Sequence, residues 1–135
     1  MPAVQKNLYI EQGATFTLGF NWHQEGAPDA DGNPTAGAAY DITGAIVRMQ
    51  ARKTQQSTVL IDASTTNGKI TIDGPTGRID VKLDDDTTDL LVYKSAIYDL
   101  EIELASGDVH RLLQGSITVS PNVTQETDDP IVDQP

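Results

Sequence analysis

The longest unbroken two-residue alternation in the chain runs from Ser95 to Pro121, SAIYDLEIELASGDVHRLLQGSITVSP, and it constrains what everything else can fold into. Leu100, Ile102 and Leu104 alternate with Asp99, Glu101 and Glu103, the period of a strand with one greasy and one acidic face. Ile97 is a further apolar residue in the run, Ser106-Gly107-Asp108 is a turn, and Val109 to Val119 returns as the second strand of a hairpin. From the residues alone this is a soluble all-β domain.

Shorter pieces repeat the pattern. Ala14 to Trp22 places Phe16, Leu18, Phe20 and Trp22 on one strand face, which reads as a core face. Ala45 to Arg52 sets Ala45, Val47, Met49 and Ala51 against Arg48, Gln50 and Arg52. Gln5 to Ile10, Thr58 to Ala63, Lys69 to Asp73 and Arg78 to Leu83 are further strands, with Ile70, Ile72, Ile79, Val81 and Leu83 expected inside. Short, evenly spaced strands of this kind belong to a sandwich or barrel. Two stretches break the rhythm. His23 to Tyr40 holds three glycines and two prolines and reads as a long loop, too broken for strand or helix. Asp84 to Leu91 reads as one helical turn capped by Asp84 or Asp85, with Leu90 and Leu91 tucked beneath it.

The chain has 20 acidic and 9 basic residues, a formal net charge of −11. Such a surface repels phosphate backbones and anionic lipid, so neither nucleic acid nor membrane is expected as a partner. Four of the acids, Glu126, Asp128, Asp129 and Asp133, fall after residue 121 with no base among them. Cysteine is absent, which removes disulfides, thiolate metal sites and cysteine nucleophiles. The N-terminus shows no basic start followed by an apolar run, so no signal peptide is expected, and no apolar stretch approaches the ~20 residues of a membrane helix.

No residue group carries recognisable chemistry. Asp29-Ala30-Asp31-Gly32-Asn33 opens like a calcium loop, but Pro34 and Tyr40 stand where an EF-hand needs Gly and Glu. Ordinary turn chemistry explains it better, and no metal or cofactor is expected. Asp99, Glu101 and Glu103 form a solvated row rather than an acid/base pair, and no serine sits in an activating motif. No enzymatic activity is expected. The 122–135 segment, with Val123, Ile131 and Val132 as its only apolar residues, has too little to bury to order itself. It reads as an acidic, extended C-terminal arm held by a neighbour, following a domain over 1–121. Partner contacts are therefore expected at Asp29, Asp31 and Asn33 in the long loop and at Val123, Ile131 and Val132 in the arm.

Asp86-x-x-Asp89-Leu90 followed by Tyr98-Asp99-Leu100 resembles the corner of immunoglobulin-like domains. Tyr98 would be the corner tyrosine, its hydroxyl tied to upstream backbone, and Leu100 stands where true immunoglobulin domains carry cysteine. Three phrases widen the likeness: Ile10-Glu11-Gln12-Gly13-Ala14-Thr15-Phe16, Asp41-Ile42-Thr43-Gly44 before a strand containing Arg48, and Tyr98-Asp99-Leu100 leading to Arg111-Leu112-Leu113-Gln114-Gly115 and Val119-Ser120-Pro121. Over roughly residues 5–121 the chain resembles the immunoglobulin-like N-terminal domain of tailed-phage baseplate upper proteins. It also resembles small proteins encoded among phage structural genes. The resemblance implies an immunoglobulin-like antiparallel β-sandwich that docks other virion proteins, or copies of itself, in a symmetric assembly formed in the host cytoplasm. Tail, baseplate or fibre junction is the expected place, with a capsid decoration or head-associated protein as the near alternative. A carbohydrate- or cell-surface-binding module is the reading from another class, with Trp22 as its one candidate platform.

Overall fold

The computed structural model describes residues 3–123, so Ile131 and Val132 of the expected arm lie outside the described residues. The chain begins with β1 (Val4–Gln5), β2 (Leu8–Glu11), β3 (Phe16–Asn21), β4 (His23–Glu25), β5 (Ala36–Ala39) and β6 (Ile46–Arg52). It continues through β7 (Val59–Ser64), β8 (Ile70–Asp73), β9 (Arg78–Leu83), the single-turn helix α1 (Asp85–Thr88), β10 (Ser95–Glu103) and β11 (Val109–Ser120). The larger sheet has the order β7-β6-β10-β11, with β1 and β2 both running parallel to the far edge of β11 and the other pairs antiparallel. The second sheet is β3-β9-β8, antiparallel throughout.

The two sheets share one core. Val47, Met49 and Ala51 of β6 and Leu100 and Ile102 of β10 are buried in the same cluster as Ile79, Val81 and Leu83 of β9. Each sheet thus turns its apolar row inward and its polar row to water, the all-β sandwich that the two-residue period predicts. Burying a side chain of this size contributes about 1.5–3 kcal/mol, so the two rows dominate stability. Ile97 falls on the other face of β10, beside Asp99, and is exposed. Among the described residues no helix is long and apolar enough to cross a membrane.

The helical turn forms as its residues predict. Asp84 is the N-cap, its Oδ1 accepting from the Thr87 backbone N–H at 2.9 Å and from the Thr87 hydroxyl at 2.6 Å. Those two bonds, the hydroxyl first, hold the Asp84 carboxyl below its usual range. Only half of the expected leucine pair packs beneath the turn. Leu91 is 1% exposed, whereas Leu90 is 56% exposed, because adjacent residues after the turn face opposite ways.

Two expectations need correction. The 23–40 stretch is not a structureless loop: β4 and β5 pair antiparallel, with His23 opposite Ala39 and Glu25 opposite Ala36. Strand pairing is a backbone matter, and Ala36-Gly37-Ala38-Ala39 obstructs it nowhere. The base of the hairpin is pinned by Tyr40 N–H donating to the Trp22 carbonyl at 3.0 Å and by the two rings stacking with centroids 4.1 Å apart. The 5–10 strand is in turn two strands. Between β1 and β2 the Asn7 side chain takes over from backbone, its Oδ1 accepting the Ser116 N–H at 3.1 Å.

The Tyr98 hydroxyl reaches upstream backbone, but that of Lys6 at 2.5 Å rather than the turn just before its own strand. Tyr98 lies opposite Gly115 in the β10–β11 register. A Cβ at 115 would run into the Lys6 carbonyl and come within 2.9 Å of Asn7 Oδ1, so the glycine is what lets the N-terminal crossover come this close.

Candidate functional site

At the tip of the β4–β5 hairpin, Asp29 Oδ1 accepts the backbone N–H groups of Asp31 at 2.9 Å and Asn33 at 2.8 Å. The Asn33 N–H, ahead of that of Asp31, keeps the Asp29 carboxyl below the usual carboxylate range. The carboxylate is therefore spent on its own turn, while the side chains of Asp31 and Asn33 stand in water. Among the described residues no three His, Cys, Asp or Glu side chains converge in a way that could hold a metal ion.

Trp22 is not a surface platform. It is 8% exposed, stacked on Tyr40, with the His110 ring 5.7 Å away. Its buried indole N–H has no acceptor among the described residues. This aromatic group closes the end of the sandwich at which β11 begins, and the hairpin tip belongs to that end. Val123 follows the opposite end of β11 and is 97% exposed. The structure thus brings Asp29, Asp31 and Asn33 together and sets Val123 apart from them.

Two surfaces emerge that the strand pattern did not announce. The first is a trough of about 620 Å³ on the outer face of the larger sheet, lined by Gln5, Gln50, Arg52, Asp99, Arg111 and Gln114. It exists because of register: Asp99 of β10 has Gln50 of β6 on one side and Gln114 of β11 on the other, and Gln5 of β1 lies beyond Gln114. A bulge in β11 after the Leu100–Leu113 pair brings Arg111 opposite Glu101. Arg111 Nε stands 3.5 Å from Asp99 Oδ2, a half-exposed pair that contributes little to stability. Arg52 is different. Its guanidinium donates to the Ser57 carbonyl at 2.5 Å and to Gln50 Oε1 at 3.1 Å, and it meets no carboxylate among the described residues.

The second surface is apolar. After α1 the chain presents Leu90, Val92 and Tyr93, with Val92 69% exposed and Lys53 Nζ 5.4 Å above the Tyr93 ring. The end of β11 lies against this segment, since Val119 N–H donates to the Lys94 carbonyl at 2.8 Å and Gln12, paired to Ser120, donates its amide to the Asp89 carbonyl at 3.2 Å. Leu90 also borders a second cavity of about 610 Å³ with Val59, Leu60 and Asp62 of β7, the free edge of the larger sheet. The strand and turn pattern placed Leu90 and Leu91 beneath the helical turn and gave no sign that Leu90, Val92 and Tyr93 would lie exposed together.

No protein-family model matches the chain, and no curated protein matches it in sequence. Function therefore has to be argued from these surfaces. What they offer is contact: amides and guanidinium groups over an open sheet face, and an apolar ledge where β11 ends.

Proposed function

We propose that this chain is a non-enzymatic structural protein of a tailed-phage particle, docking neighbouring virion subunits at a tail, baseplate or fibre junction. The observation that carries the docking part is the exposed ledge of Leu90, Val92 and Tyr93. Contiguous apolar surface rimmed by polar groups marks protein contact sites, and leaving it in water is unfavourable by roughly 25 cal/mol per Å². The free edge of β7 beside Leu90 adds unpaired backbone groups that a partner strand can complete.

The immunoglobulin-like part is supported by strand order. A sheet of β7-β6-β10-β11 with β2 alongside, facing a β3-β9-β8 sheet, follows the variable-type immunoglobulin arrangement. The β4–β5 hairpin is then an insertion between the second and third strands of that plan. The phage part rests on the resemblance of residues 5–121 to baseplate upper proteins.

The test is co-purification. The full-length chain should sediment with phage particles on a density gradient, and Leu90→Asp with Val92→Asp, both at exposed positions, should release it while leaving its circular dichroism unchanged. A chain that stays at the top of the gradient when particles are present, or that turns over a substrate, would overturn the reading.

A further inference from the structure

The trough on the larger sheet is positive in a chain that is otherwise strongly acidic. Its charged lining is Arg52 and Arg111 against Asp99, a local excess of one positive charge where the whole chain carries −11. Arg52 is the sharper feature. Its donors are oriented by the Ser57 carbonyl and the Gln50 amide, both neutral, so the guanidinium is held in place with its charge unanswered among the described residues. A fixed guanidinium of this kind suits a carboxylate, because its planar fork bonds both oxygens with little rotamer entropy left to lose. Gln50 and Gln114 add amide donors on either side of Asp99, and Ile97, 38% exposed, supplies an apolar spot in the same trough.

One segment of the chain has the complementary composition. Residues 124–135 carry Glu126, Asp128, Asp129 and Asp133, no base, and the apolar pair Ile131-Val132. Those 12 residues could span about 40 Å if extended, enough to cross from one molecule to another. They leave past Val123 at the end of β11, where Glu11 pairs with Ser120 and the Asp89 carbonyl is bonded by Gln12. Glu11 and Asp89 beside that exit outnumber Lys94 there, so the local charge disfavours an acidic segment doubling back over its own domain.

We infer that the trough seats the acidic 124–135 segment of a second copy of this chain, its carboxylates on Arg52 and Arg111 and its Ile131-Val132 pair on Ile97. This rests on the docking reading above and names one of its contacts. Donor and acceptor differ, so each copy offers one arm and receives another: exchanged reciprocally between two copies the contact closes a twofold dimer, and passed on head to tail it closes a ring or continues as a filament.

Absence of cysteine makes the test clean. Two full-length variants, one with Ser116→Cys at the trough and one with Val132→Cys in the arm, are mixed under mild oxidation and followed on non-reducing gels. The covalent heterodimer should form at least about tenfold faster than either variant links to itself. The advantage should vanish when the acceptor also carries Arg52→Gln and Arg111→Gln. It should also shrink at about 0.5 M salt, where the screening length falls to roughly 4 Å. Arg52→Lys in the acceptor, which keeps the charge but loses the planar fork, should fall between the wild type and Arg52→Gln, so a general loss of fold is distinguishable from a lost contact. Heterodimer forming no faster than the self-links, or unaffected by the arginine changes, overturns the inference. So does a chain carrying both cysteines that closes within itself at every dilution while the mixture does not link. Because only this one chain is present, such a failure leaves the particle co-purification result untouched.

Discussion

Replacing Tyr98 by phenylalanine removes one oxygen and tests how the N-terminal crossover is held to the sandwich. The side chain is buried and its hydroxyl donates to the Lys6 carbonyl at 2.5 Å. A hydrogen bond of this sort contributes a net ~1–1.5 kcal/mol. For a chain of this size that corresponds to a melting temperature about 3–9 °C lower for the variant near neutral pH. Alkali should close the gap. Burial pushes the Tyr98 phenol up to about 12 from its ordinary 10, so above pH 10 the unfolded chain gives up a proton that the folded one keeps. The stability owed to that proton is fully present below pH 10 and is lost as pH rises from 10 through 12. By about pH 11 the loss is roughly 1.4 kcal/mol, close to what the hydroxyl contributed, and the phenylalanine variant has no such proton to lose. Urea unfolding followed by circular dichroism at steps from about pH 7 to 11 should show the two stabilities converging, with Tyr9, Tyr40 and Tyr93 common to both proteins. A gap that stays constant across that range would refute the argument, since the fold would not then be holding the Tyr98 proton.

Trp22→Ala should destabilise the sandwich by about 3–5 kcal/mol, because it removes a buried ring stacked on Tyr40, and wild-type Trp22 fluorescence should resist iodide quenching. Gly77→Ala should cost clearly more than Gly68→Ala in urea unfolding. Both glycines have positive φ, which costs about 1–2 kcal/mol for alanine, but only at 77 would the new Cβ press into the Trp22 carbonyl and lie 2.9 Å from the Tyr40 carbonyl. Equal costs would mean that the hairpin base yields freely. Asp84→Ala should lower the melting temperature more than Asp84→Asn, since Asn can still accept from the Thr87 N–H. Because the Asp84 carboxyl is held low by Thr87, its share of stability is present above the ordinary aspartate value of 3.8 and is lost as pH falls below it. The wild type should therefore lose its advantage over the alanine variant in acid, and thermal melts at falling pH measure this.

The sequence alone determined what a period of two can determine. Alternation named the inward rows of β6, β8, β9 and β10, because a pleated strand sends successive side chains to opposite faces whatever its neighbours are. The Asp84 cap was legible for a similar reason, since its partner Thr87 is only three residues away. The β4–β5 hairpin was not, because β4 is only the three polar residues His23-Gln24-Glu25 and β5 is alanine and glycine, so their pairing lies in the backbone, and the signal that holds it is a stack between Trp22 and Tyr40. Nor could any local pattern show that Tyr98 would meet Lys6, or that Arg52, Asp99, Arg111 and Gln114 would line one trough. Those contacts join residues tens of positions apart, and they follow from strand order and register, which only the packed pair of sheets decides.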